Sequence, residues 1–312
     1  MITGVRVGHA TDPVGLTGCT AVLSDRPAVG AVEIRGWASG LHGLDFLDPR
    51  HVVPTLDGVL LAGGSAFGHE AIWGVMQWLE EQGVGFATRH TVVPHVAGAI
   101  LYDLGVGDHR ARPDRAMGYA AAAAAGPGPV PQGNVGAGTG ATVGKLYGLD
   151  RAMRGGIGCA TETVDGVEVG ALVAVNAVGD VRDPETGRLI AGTRDAADGR
   201  RLIDTAAALA AGAPAPSFQP VNTTIGVLAT TAALGKSEAA RLTALALDGF
   251  ARALSPAHLA TDGDALFSLS VGSARADLAS LGRAAAGLVA QAIANAVRAA
   301  TSLPGLPAAR DL

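Results

Sequence analysis

The chain reads as a large α/β domain, and three stretches carry that reading. Residues 58–62 (Gly-Val-Leu-Leu-Ala) are an apolar run that enters a Gly-rich turn, followed by Ile72, Val75, Met76 and Leu79 at helical spacing. Asp165-Gly166, between two strand-like runs, is the strongest short hairpin signal in the sequence. From Pro220 through Asn222 and Thr223 to Thr230 the chain passes from polar residues into a β-branched and apolar run, the pattern of a strand buried on both faces. At 312 residues the chain is long for one core, yet within reach of a single large α/β domain.

Composition narrows the function classes. Hydrophobic residues make up 48% and charged residues 16%, with 45 glycines, which excludes the disordered class. Low charge density leaves little polar surface and favours a homo-oligomer. Net charge is −5, and no Lys/Arg block invites a nucleic acid or an anionic membrane. No apolar run reaches membrane-spanning length, and the first 30 residues lack a signal-peptide pattern. Cys19 and Cys159 have neither CxxC spacing nor nearby His ligands, so they are expected as buried thiols of a cytoplasmic protein.

In chain order, Val5–Val7, Cys19–Ser24 and Val29–Ile34 are short strands of a meander, with His9 in a turn as a structural residue. The strand at 58–62 runs into Gly63-Gly64-Ser65-Ala66-Phe67-Gly68, then a helix over 70–81. Backbone N–H groups at such a junction hold an anion or simply allow close packing, and both readings stand. Ser65 is not in a G-x-S-x-G elbow, because Phe67 stands where the second flanking glycine belongs. Val96–Leu104 is a strand with Tyr102 and Asp103 near its end, and Pro113–Ala125 is an alanine-rich helix.

Gly133–Lys145 invites comparison with a phosphate loop. The Walker spacing fails, since five residues separate Gly138 from Gly144 and Leu146 follows the lysine. A backbone packed closely against a neighbour is the alternative, with Lys145 at its end either solvated or held in a cleft. Gly155–Val164 and Val167–Asn176 form the hairpin, Asp180–Asp198 a polar surface loop, and Ala196–Ala211 a helix. A Pro-rich linker over 212–220 leads to Thr223. Beyond it, Ser237-Glu238 caps a helix to Leu254, Asp262-Gly263-Asp264 precedes a strand over 265–271, and Arg275–Thr301 is the final helix.

Thr223 is the residue with chemical potential. A threonine hydroxyl needs an adjacent base, and cutting the chain before Thr223 would supply its own α-amine. An ordinary Asn-Thr turn is the competing reading. Asp262 and Asp264 suit a hydrogen-bonding pair, a turn cap or metal ligands, though the further ligands of an EF-hand are missing.

Four ordered motifs then weigh together: Leu61–Gly68, Gly133–Lys145, Asn222-Thr223-Thr224-Ile225, and Asp262-Gly263-Asp264 before Leu266-Phe267. In this order, over nearly the whole chain, the sequence resembles the DmpA-type N-terminal-nucleophile aminopeptidases (L-aminopeptidase/D-esterase and β-aminopeptidases), a family that includes the nylon-oligomer hydrolases. The resemblance implies a four-layer α/β/β/α sandwich, self-cleaved into 1–222 and 223–312, with Thr223 as nucleophile. It also implies Lys145, Asn176 and Tyr102 as supporting site residues and Asp262 and Asp264 as the acidic pair beside the nucleophile. Asp-x-Asp is the nylon-oligomer form of that pair, where the β-aminopeptidases carry Ser-x-Glu. The implied activity is hydrolysis of small amides, peptides or oligoamides, 6-aminohexanoate oligomers among them, by a homotetramer without metal or organic cofactor. An acyltransferase of the ornithine-acetyltransferase type and a non-catalytic binding protein are the rival readings.

Overall fold

A computed structural model of the protein describes residues 1–214 and 222–312. Most of the Pro-rich approach to Asn222 therefore lies outside the described residues. Nine strands make up the main sheet system: β1 (Val5–Asp12), β2 (Thr17–Ile34), β3 (Leu41–His42), β4 (Leu56–Ala62), β5 (Val96–Ile100), β6 (Gly156–Val164), β7 (Val167–Asn176), β8 (Thr223–Ala232) and β9 (Ala265–Ala274). Among the described residues, five α-helices accompany them: α1 (Glu70–Glu81), α2 (Arg115–Ala123), α3 (Thr205–Ala210), α4 (Lys236–Ala253) and α5 (Leu278–Ala299).

The sheet system divides at β2. Its first half pairs β1 and β4, with Cys19 opposite Ala62 and Ala10, while its second half pairs β9, with Ile34 opposite Ala265. One sheet thus runs β1-β2-β4-β5-β3 and the other β6-β7-β8-β9-β2. The pairs β4–β5 and β8–β9 are parallel, and the remaining neighbours are antiparallel.

Alternation of side chains along each strand then builds three apolar layers. Val59, Leu61, Ala97, Ala99, Leu172, Ala174, Ile225, Val227 and Phe267 fill the space between the sheets. Leu60, Ala62, Ile72, Val75, Leu79, Ala121 and Ala122 join the first sheet to α1 and α2. Val173, Val175, Leu228, Leu266, Leu242, Phe250, Val289 and Ile293 join the second sheet to α4 and α5. This is the α/β/β/α sandwich expected above. Glycines allow α1 and α2 to meet closely: a Cβ on Gly118 would lie 1.8 Å from the Ala71 carbonyl oxygen.

The Asp165-Gly166 hairpin forms as expected, both residues having positive φ, as a type I′ turn requires. Other expectations are corrected. The helix expected over 196–211 is confined to Thr205–Ala210, because Asp204 caps it through Ala207 N–H and the preceding residues bridge Arg194 to Leu202. The polar stretch 180–198 contains two short paired strands, Asp180–Arg182 and Leu189–Ala191. Two meander strands are one, since β2 continues through Asp25-Arg26-Pro27. Of the two thiols only Cys19 is fully buried, and burial pushes it up to about 12. No described helix is long and apolar enough to cross a membrane.

Candidate active site

Thr223 opens β8 and shares strand parity with Ile225, Val227 and Ala229, so it sits at the end of the apolar layer between the sheets. There the layer turns polar. Asn176, last residue of β7, is in register with Thr223, and Asn222 bridges Asp262 just before β9. Three neighbouring strand ends therefore bring Asn176, Thr223 and the Asp262–Asp264 segment together.

The Thr223 hydroxyl donates to the carbonyl oxygen of Asn222 at 2.6 Å. The same oxygen accepts from Gly263 N–H at 2.9 Å. Gly263 is required at this place, since a Cβ there would stand 2.7 Å from Thr223 Oγ and 2.8 Å from the Ala38 carbonyl oxygen.

Lys145 reaches the cluster from the Gly-rich loop. Gly144, at φ +72°, packs its α-carbon against the Gly192–Thr193 peptide, and Lys145 N–H donates to Val178. The lysine is therefore buried rather than solvated. Its Nζ donates to the main-chain oxygen of Asn176 at 3.0 Å and to Asn176 Oδ1 at 2.9 Å. Asn176 Oδ1 also accepts from Thr142 N–H at 3.0 Å, which fixes the amide so that Nδ2 faces and donates to the Tyr102 carbonyl at 2.9 Å. Tyr102 joins this network through its main-chain carbonyl.

The acidic pair is buried with them. Asp264 Oδ1 accepts from Thr224 N–H at 2.8 Å, and Asp262 Oδ2 accepts from Leu259 N–H at 2.8 Å, so Asp262 also caps a turn. Burial pushes the Asp262 carboxyl up to about 7, with the Asp264 charge adding to the rise. Burial likewise lowers Lys145 to about 7, against the pull of Asp262 and then Asp103. Asp262 thus holds a proton more readily and Lys145 less readily than in water, which is the condition for proton exchange near neutrality.

Asp103, His258 and Thr17 belong to this neighbourhood and carried no motif signal. Asp103 Oδ1 accepts from Gly64 N–H and Oδ2 from the Thr17 hydroxyl, both at 2.7 Å. Burial raises its carboxyl above the usual range. Its position directly after Tyr102 was the available clue. The Gly63–Gly68 turn is accordingly used to bind a protein carboxylate.

Residues 2–310 match the family model described as peptidase family S58. An uncharacterized aminopeptidase of Mycobacterium leprae is 40% identical, the match covering 98% of this chain and 91% of the relative. A 6-aminohexanoate-oligomer endohydrolase of Kocuria sp. is 33% identical over 86% of this chain and 73% of its own length. Among solved structures, the L-aminopeptidase D-Ala-esterase/amidase from Ochrobactrum anthropi, described as a variant of the Ntn hydrolase fold, superposes with a TM-score of 0.73 at 20% identity. That match covers 96% of this chain and 85% of the other.

Proposed function

The chain belongs to peptidase family S58, and from that premise we propose that Thr223 is its nucleophile, freed as an N-terminal residue by self-cleavage after Asn222. The protein is a hydrolase of amide bonds with the N-terminal-nucleophile fold. One observation carries the proposal: Thr223 Oγ and Gly263 N–H converge on the Asn222 carbonyl oxygen, at 2.6 and 2.9 Å.

In the first event Oγ adds to the Asn222 carbonyl carbon, and Gly263 N–H stabilises the oxygen as it gains charge. The proton passes to the Thr223 nitrogen, the C–N bond breaks, and water hydrolyses the resulting ester. Asn222 is left with a carboxylate and Thr223 with a free amine. In each turnover that amine takes the Oγ proton while Oγ attacks a substrate carbonyl, then returns the proton to the leaving amine. Water, activated by the same amine, releases the acyl group. Lys145, held by Asn176, whose amide is anchored on the Tyr102 carbonyl, presents its Nζ as a hydrogen-bond donor beside the reacting carbonyl. The acidic pair Asp262 and Asp264 lies beside the new terminus and biases the proton affinity of the α-amine.

The substrates in this reading are short peptides or linear oligoamides. The aminopeptidase and 6-aminohexanoate-oligomer hydrolase names of the relatives support that class, as does the Asp-x-Asp form of the acidic pair. The working form is a cytoplasmic homotetramer. Low charge and strongly exposed Val14, Trp37 and Val52 support the assembly, and the cysteine usage supports the compartment.

Intact-mass spectrometry tests the nucleophile directly, beside a Thr223→Ala control. The expected result is two polypeptides, ending at Asn222 and beginning at Thr223, from the unaltered protein and one uncut chain from the control. An uncut, active protein would overturn the mechanism.

A further inference from the structure

The two carboxylates of the Asp262-Gly263-Asp264 segment meet different donor sets. Asp264 is fully engaged: Oδ1 accepts from Thr224 N–H at 2.8 Å, and Oδ2 accepts from His258 Nδ1–H at 2.9 Å and from His258 main-chain N–H at 3.3 Å. Asp262 is half engaged. Its Oδ2 takes Leu259 N–H, while Oδ1 is buried with no hydrogen-bond partner among the described residues. A buried carboxylate oxygen left open is uncommon and calls for a donor.

His258 is built to hold its neighbour. Its ring stacks on Phe250, with centroids 5.8 Å apart and planes 19° from parallel. Its backbone has φ +58°, a conformation that a non-glycine residue keeps where the surroundings fix it, and here ring and main chain address one oxygen. The open Asp262 Oδ1 belongs to the residue that bridges Asn222, next to the peptide that self-cleavage would break.

We propose that the pair divides its work: His258 is a positioning residue that, with Thr224, locks Asp264 in place, and Asp262 Oδ1 is the acceptor for the α-ammonium of Thr223. This rests on Thr223 being the N-terminal nucleophile. Lys145 and His258 face Asp262 besides Asp264, and Asp103 lies across Lys145. With His258 in place, Asp264 stays turned to Thr224 and the ammonium meets one carboxylate oxygen. Without it Asp264 swings free and competes for the ammonium, which then gives up its proton less readily.

The test compares His258→Ala, His258→Asn and His258→Gln in the self-processed enzyme, assayed on a dipeptide amide across pH. Asparagine places an N–H near Nδ1, whereas glutamine places it near Nε2. In the Ala variant kcat should fall about tenfold to a hundredfold, the scale of one hydrogen bond to a charged group, with KM within about twofold. The acid limb of its pH profile should move to higher pH, and Asn should restore most of both. A wild-type kcat with an unmoved acid limb in the Ala variant overturns the proposal. So does an Asn variant no better than Gln, and that comparison decides alone if the Ala variant does not fold. A Thr223→Ala protein that still turns over substrate would instead bring down the nucleophile assignment, a result separable from any behaviour of His258.

Discussion

Lys145 Nζ holds Asn176 at two points, its main-chain carbonyl at 3.0 Å and its side-chain oxygen at 2.9 Å. Because Asn176 lies in register with Thr223, this pair ties the Gly-rich loop to the strand end that carries the candidate nucleophile. Replacing Lys145 with Met should lower kcat by about 10²–10³, the range for loss of one oxyanion-stabilising donor. Stability should fall by about 1–3 kcal/mol as well, because both Asn176 oxygens lose a donor and Asp262 and Asp103 lose a neighbouring cation. Steady-state kinetics with a denaturation curve checks both, and an unchanged kcat in a destabilised variant would contradict this account.

Gly263→Ala probes the close approach at Thr223. The new methyl would stand 2.7 Å from Thr223 Oγ and 2.8 Å from the Ala38 carbonyl oxygen, so one of them must move. Self-cleavage should slow by at least about tenfold, as expected when a reacting atom is displaced, and stability should drop by about 1–3 kcal/mol. A mass-spectrometric time course and a denaturation curve read the two effects separately.

Stability should depend on pH in opposite directions on the two sides of neutrality. Asp262, raised to about 7 from 3.8, keeps its proton in the folded state where the unfolded chain has lost it, so its contribution weakens as pH rises between those values. Lys145, lowered to about 7 from 10.5, has already lost a proton that the unfolded chain retains, so its contribution strengthens from about 7 to 10.5. In an uncut Thr223→Ala background, Asp262→Asn should flatten the falling limb and Lys145→Met the rising one. Urea titrations at stepped pH values would reveal either limb persisting without its residue.

Asp180 anchors the segment that packs against Gly144. Its Oδ1 accepts from Thr193 N–H and the Thr205 hydroxyl, its Oδ2 from Thr205 N–H, and burial pushes its carboxyl up to about 6. Asp180→Ala strands all three donors and should cost about 2–5 kcal/mol, while Asp180→Asn should cost less. Equal costs in urea denaturation would assign the loss to packing alone.

Elements announced by a local rule were legible in the sequence. Asp165-Gly166 admits little but a hairpin, and the β8 run from Thr223 had no charged residue to turn it outward. Ala196–Ala211 misled because alanine propensity is a weak prior, overruled by Asp204 capping a later start and by Arg194 reaching the carbonyls of Asp150 and Gly305. At the site, residues sharing a motif with the nucleophile or its acidic pair were readable. Asp103 and His258 were not, because their partners Gly64 and Asp264 are set by folding and not by spacing.

Strand order carries a last consequence, for the molecularity of folding. β8 and β9 lie side by side within the second sheet, flanked by β7 on one side and β2 on the other, both from before Asn222. A cut at 222–223 would therefore leave two polypeptides that cannot part without tearing central ladders on both sides. An uncut chain would rebuild these ladders at a rate independent of concentration. A cut protein, once denatured, would have to reassemble by a second-order encounter, so dilution alone would decide whether it regained its shape.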